Sequence, residues 1–212
     1  MDLQPTDDQA SLVELITGFA AHRFAIGTVR SFGEPEGFDR SLWAELAALG
    51  TFGIDVPEDR GGVGLNFIDA VLVHEALGAA LVPGPLVAAT LASGVVNGVI
   101  EGSVVPCIID VGADGPLAVE NFRSSDVLLL VDDAGVGLLN CEDALGTDVA
   151  HPTDPTTPVT ILTSLPKADK IGGPELAKSW RQRGSLLSSA QLSGNSSGST
   201  SLAVEYAKER EQ

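Results

Sequence analysis

The side chains that could carry chemistry are few and scattered. Gly61-Gly62-Val63-Gly64 invites comparison with a phosphate loop. Such a loop needs a Lys followed by Ser or Thr to reach the phosphates, and none follows here. The histidines stand apart: His22 reads as a helix-surface residue, His74 as one packed beside a core stripe, and His151 as part of a proline-rich loop. No strand-to-helix elbow presenting a serine nucleophile is expected, so Ser-His-Asp hydrolysis is set aside. Cys107 and Cys141 have no metal-like spacing, and no His, Cys or Asp pattern suggests a metal site. Reduced thiols in a cytoplasmic protein are the expectation. Of the 12 basic residues, Lys167, Lys170, Lys178, Arg181 and Arg183 fall in one stretch. That cluster reads as a solvated face, with contact to an anionic cofactor as the alternative.

The chain that must position these groups has 212 residues, enough for one or two domains with a real core. A hydrophobic content of 44% and mean hydropathy of +0.22 exclude disorder. A net charge of −17 argues against nucleic acid, whose phosphates demand clustered Lys and Arg. The opening segment is acidic and polar, unlike a secretory signal. Residues 76–100 carry no charge, but Pro83-Gly84-Pro85 interrupts them. Two buried helices suit that pattern better than one membrane span.

Residues near 6–100 are expected to be helical. Thr6 and Gln9 form a capping-box pattern ahead of Leu12, Leu15, Ile16 and Phe19, with that helix running to about Ile26. Arg30 to Gly37 reads as a loop. A second helix starts near Asp39, with Leu42, Trp43, Leu46 and Leu49 as its stripe and Gly50 at its end. Asn66 is a good N-cap for a third, and Pro85 pre-sets a fourth over Leu86 to Ile100. From Gly102 the texture changes to short Val-, Ile- and Leu-rich runs. Val104 to Ile109, Leu117 to Glu120, Val127 to Val131 and Val159 to Leu162 read as strands of an antiparallel sheet. From about 185 helix is expected again. Leu187, Ala190, Gly194, Gly198 and Leu202 recur at helical spacing, a small-residue stripe that needs another surface to cover it. The division is therefore residues 1–101 helical, 102–184 β, and 185–212 the start of a third, helical unit. The class is α+β.

One long ordered pattern is specific. Pro57-Glu58, Gly61-Gly62-Val63-Gly64-Leu65, Glu75-Ala76-Leu77-Gly78, Leu81 and Pro83-Gly84-Pro85-Leu86 together resemble the N-terminal helical domain of acyl-CoA dehydrogenases. The resemblance is to the actinobacterial type used on steroid and other bulky acyl chains. Leu202 to Gln212 resembles the first helix of that family's C-terminal domain, with Arg210 and Gln212 matching the Arg and Gln of its Arg-x-Gln-Phe-Gly motif.

The resemblance implies an FAD-dependent enzyme that removes the α-proton and β-hydride of an acyl-CoA thioester. In relatives the base lies beyond the position of Gln212, so no residue here is named as catalytic. The family's Thr-Glu-Pro-x-x-Gly-Ser-type segment and its Trp-containing strand are missing between Pro106 and Ser125. The resemblance therefore implies a reduced subunit of a hetero-oligomer, a tetramer, whose homologous partner largely holds the FAD. Arg210 and Gln212 would meet that cofactor in trans. A non-catalytic scaffold of the same fold and a truncated homomeric enzyme are the alternatives.

Overall fold

The computed structural model describes residues 4–33, 38–111 and 116–210. Its first helix, α1 (Asp7–Arg23), opens on the expected capping box: Thr6 accepts from the Gln9 backbone, and the Gln9 side chain returns to the Thr6 N–H. Gln9 also donates to Asp69 over 2.8 Å. Asp69 in turn caps Asn66 at the start of α4 (Phe67–Ala79), so the two helix starts are tied together.

Two helical expectations are corrected. The chain leaves α1 at Arg23 and re-enters a short helix α2 (Ile26–Ser31), because Phe24 and Phe32 both turn inward and close an aromatic row with Phe19, Phe38, Trp43 and Phe52. Helix α3 (Arg40–Ala48) follows, capped by the Asp39 carboxylate as expected. The helix expected over Leu86 to Ile100 ends early: α5 spans Leu86–Ala92. Gly94, Gly98 and Gly102 all hold positive φ, a backbone state that continues no right-handed helix.

Among the described residues the β region has seven strands in two sheets. β1 (Pro106–Asp110), β3 (Val127–Asp132), β4 (Gly135–Asn140) and β7 (Asp169–Gly172) form one, in the order β1-β3-β4-β7. β2 (Leu117–Glu120), β6 (Val159–Ser164) and β5 (Leu145–Asp148) form the other. The pairing is antiparallel except for β1 on β3, which is parallel. β3 reads as an unbroken apolar run because both its faces are covered. Leu129 and Val131 join the main core with the helices, while Leu128 faces a second core with Cys107, Val119, Phe122, Leu139, Cys141, Ala144 and Leu162.

The last helix, α6 (Pro174–Glu209), begins well before the serine-rich run that suggested it. Pro174 occupies the first turn, and Ala177 and Trp180 are buried in the main core. The stripe on α6 is covered within the chain from Leu187 to Gly198, which removes that part of it as grounds for association, while Leu202 is exposed. A Cβ at Gly194 would overlap the backbone of Glu75, one at Gly198 the carbonyl of Ala79, and one at Gly78 the carbonyl of Gln191. These glycines let α4 and α6 lie backbone to backbone, and that contact compensates for their poor helix propensity.

Candidate functional site

Where α5, β1, β3 and α6 converge, they leave an open cleft of about 380 Å³. Val87 and Leu91 from α5, Ile108 and Val131 from the sheet, and Trp180 from α6 give it apolar walls. Gly184 keeps it wide, since a Cβ there would stand 3.3 Å from Leu91 Cδ1. Ser185 and Ser188 line its polar side, and Ser185 is already bonded to the Arg181 carbonyl. An apolar hollow with a polar rim at the meeting of structural units is the usual form of a small-molecule site.

The rim is electrostatically closed. Arg181 donates from Nε and Nη2 to Asp110 at 2.6 and 3.0 Å, and from Nη1 to Asp133 at 2.8 Å. These carboxylates hold the guanidinium pKa above its ordinary value, so it stays charged. Two residues on, and therefore on the opposite side of α6, Arg183 bonds Asp55 at 2.5 Å and stacks 4.4 Å over the Phe67 ring. Lys170 donates to the Ala134 carbonyl. Two arginines of the basic stretch, two residues apart on α6, thus clamp the sheet on one side and the helical unit on the other, while Lys167 and Lys178 are exposed.

A larger hollow, of about 700 Å³, lies between the α2–α3 region and the loop before β6. His151 lines it, together with Arg40 and Arg123. Its arginines are committed as well: Arg40 forks onto Asp126, and Arg123 bonds Asp148 and the Gly146 carbonyl. Among the described lining residues, both arginines are therefore already paired.

The other candidate groups are accounted for. His74 is buried, with Nε2 2.9 Å from the Thr90 hydroxyl, and burial pushes its pKa down to about 4. It is a packed histidine, as expected. His22 is exposed on α1. Among the described residues no cluster of three or more His, Cys, Asp or Glu could hold a metal ion, and no helix is long and apolar enough to cross a membrane. Gly194-Asn195-Ser196-Ser197-Gly198 has the letters of a nucleophile elbow, but it lies inside α6 and Ser196 is bonded to the Leu192 carbonyl. Arg210 ends α6 fully outside the core, its guanidinium 5.8 Å from the Tyr206 ring centroid. Gln212 lies outside the described residues.

A flavin dinucleotide does not fit the cleft's own polar groups. Its pyrophosphate needs available positive charge, whereas Arg181 is already paired with two carboxylates that would repel it. Among the described residues that line the cleft the carboxylate is Asp110, and it is held by that same arginine.

Residues 6–102 match the family model of the acyl-CoA dehydrogenase N-terminal domain. Acyl-CoA dehydrogenase IpdE2 of Mycobacterium tuberculosis is 26% identical over 223 residues, which span 99% of this chain and 67% of that protein. Among solved structures, the ChsE4–ChsE5 complex from Mycobacterium tuberculosis superposes with a TM-score of 0.81 at 22% identity, covering 100% of this chain and 70% of that one. A variant of the Tcur3481–Tcur3483 steroid ACAD (acyl-CoA dehydrogenase) gives 0.75 at 22% identity, covering 97% and 68%.

Proposed function

We propose that this chain, whose residues 6–102 match the acyl-CoA dehydrogenase N-terminal domain, is one subunit of a flavin-dependent acyl-CoA dehydrogenase acting in a heteromer. The enzyme is cytoplasmic and converts a bulky acyl-CoA thioester, of the steroid side-chain kind, into its 2-enoyl-CoA. The observation that carries this reading is the cleft between α5, β1 and α6: it has apolar walls but no available base and no anchor for a flavin. Two neighbours of like fold are themselves a two-component complex and a two-component steroid ACAD, which supports a homologous partner here.

In this reading the partner holds FAD, which accepts the substrate's β-hydride when bound, and the partner also supplies the base. Residues of this chain bind and position. Val87, Leu91, Ile108 and Trp180 exclude water from an acyl group, and Arg181 keeps the cleft mouth in register with the sheet. Arg210 and Gln212 reach the partner's cofactor, where the forked guanidinium suits a phosphate. The three-unit division at residues 101 and 184 belongs to the same proposal. A scaffold subunit of the same fold is the second reading, supported by the ion pairs at the cleft rim.

Co-expression with a homologous full-length subunit tests the proposal. A yellow complex that oxidises acyl-CoA is the expected result. Arg210→Ala should then lower flavin retention roughly ten- to a hundredfold, the scale of a lost charge-assisted contact of about 1.5–3 kcal/mol. An active, yellow complex whose flavin affinity ignores Arg210→Ala would reject the role in trans. A stable complex with neither flavin nor activity would favour the scaffold.

A further inference from the structure

The second core contains a chemical pair that the proposed activity does not use. Cys107 lies on β1 and Cys141 heads the turn after β4, on either side of β3. Their sulfurs stand 3.8 Å apart, and both residues are buried and reduced. Val119, Phe122, Leu128 and Leu162 enclose them between the two sheets.

We propose that Cys107 and Cys141 form a latent intramolecular disulfide site, closed by a small-molecule disulfide oxidant when the second core opens. The sulfurs must approach from 3.8 Å to the ~2.05 Å of a disulfide. Cys141 has room to move because it leaves the strand for a single 3₁₀ turn, Cys141–Asp143, held to β3 by its own N–H on the Asp126 carbonyl. In the step itself, one cysteine thiolate attacks the oxidant's S–S bond and releases a thiolate, giving a mixed disulfide. The second cysteine then displaces the other half. One S–S bond forms and one breaks, both cysteines are oxidised, the oxidant is reduced to two thiols, and the two thiol protons pass to the departing thiolates.

Burial sets the condition. The neighbouring thiol and the apolar surroundings push the Cys141 pKa up, so the closed fold offers little thiolate to start the exchange. The reaction is therefore gated by opening of the sheet pair. Once made, the bond ties β1 to the end of β4 across β3 and closes a long loop, which stabilises the folded chain.

The test is incubation of the full chain with oxidised glutathione, with and without sub-denaturing urea, followed by removal of the oxidant. Non-reducing peptide mapping and thermal melting are then compared. The expected result is loss of both thiols together in a Cys107–Cys141 cross-linked peptide, formed faster in urea, with melting raised by on the order of 5–10 °C and restored by dithiothreitol. Cys107→Ala should leave Cys141 carrying at most one glutathione and show no such rise. Should that variant fail to fold, the peptide map of the unaltered chain decides alone. Thiols that stay free in urea, glutathione adducts on the two cysteines separately, or intermolecular dimers would each overturn the proposal.

Discussion

The two ends of α6 behave as different helices. From Ala177 to Gly198 one side is pressed onto α4, α5 and the sheet, with Trp180, Leu187, Ala190 and Gly194 buried. From Ser199 to Arg210 every residue is exposed, including Leu202, Val204 and Tyr206. The sequence texture is continuous across that boundary, with serine and small residues on both sides. What differs is the availability of a facing backbone: α4 ends at Ala79, whose carbonyl already faces Gly198, and no part of α4 continues opposite Ser199 to Arg210. A small-residue stripe therefore marks close packing, and the partner is whichever surface the fold delivers. Here the chain itself delivers it for the first part and leaves the second part bare.

An alanine placed in each part breaks the comparison most sharply. Gly194→Ala should improve helix propensity yet destabilise the chain by about 3 kcal/mol, because the new methyl meets the Glu75 carbonyl and two backbones must separate. For a chain of this size that is a fall of on the order of 6–12 °C in melting temperature. Ser199→Ala, a few residues later, should change stability by less than about 0.5 kcal/mol. Equal effects at the two sites would mean that α6 is not divided in this way.

The arginines sharpen it next. Arg183 and Asp55 are largely withdrawn from water, with side-chain exposures of 32% and 10%, and Asp55 Oδ1 and Arg183 Nε already lack partners. Arg183→Ala strands the carboxylate beside Phe67 and should cost about 2–4 kcal/mol in urea unfolding. Arg210→Ala should leave the stability of the lone chain unchanged, since Arg210 is exposed and, among the described residues, its guanidinium lies only over the Tyr206 ring.

An acid titration probes the packed side through α4. Burial lowers the folded pKa of His74 from 6.5 to about 4, so the unfolded chain binds its proton first as pH falls. Stability from this group is complete above pH 6.5 and declines as pH drops towards 4, by about 3 kcal/mol over the window. Asp126, Asp148 and Asp154 have lowered pKa values too, but they act below the ordinary carboxylate range. His74→Gln should flatten the loss between pH 6.5 and 4.5 when urea midpoints are compared. An unchanged slope would place the acid sensitivity elsewhere. The smallest effect is expected at Leu202→Ser, within about 0.5 kcal/mol for the lone chain.

Much of this was legible because local chemistry and tertiary demand agreed. Thr6, Asp39 and Asn66 cap their helices as their residue types predict, and Leu117 to Glu120 is a strand over the expected span. Elements carried by pairing alone were not visible. β4 contains Gly135 and Gly137, β7 is Asp-Lys-Ile-Gly, and β5 shows one partly buried glycine among exposed residues; neighbouring strands hold all three in place. The cleft was hidden for a similar reason. Val87, Ile108 and Trp180 are far apart in sequence and look like ordinary core residues until three elements meet. The Arg181 clamp was seen only as a basic cluster, because its acidic partners Asp110 and Asp133 come from distant turns. For Arg210 and Gln212 the signal was the family motif alone, and the fold places Arg210 on the bare end of α6.

The central claim is that this chain builds an acyl-binding wall but leaves the flavin to a partner. The most direct test is the flavin absorbance of the chain purified alone and together with a homologous full-length subunit. The account predicts a colourless lone chain and a yellow complex holding fewer flavins than chains. A lone chain that retains one FAD per polypeptide would contradict it.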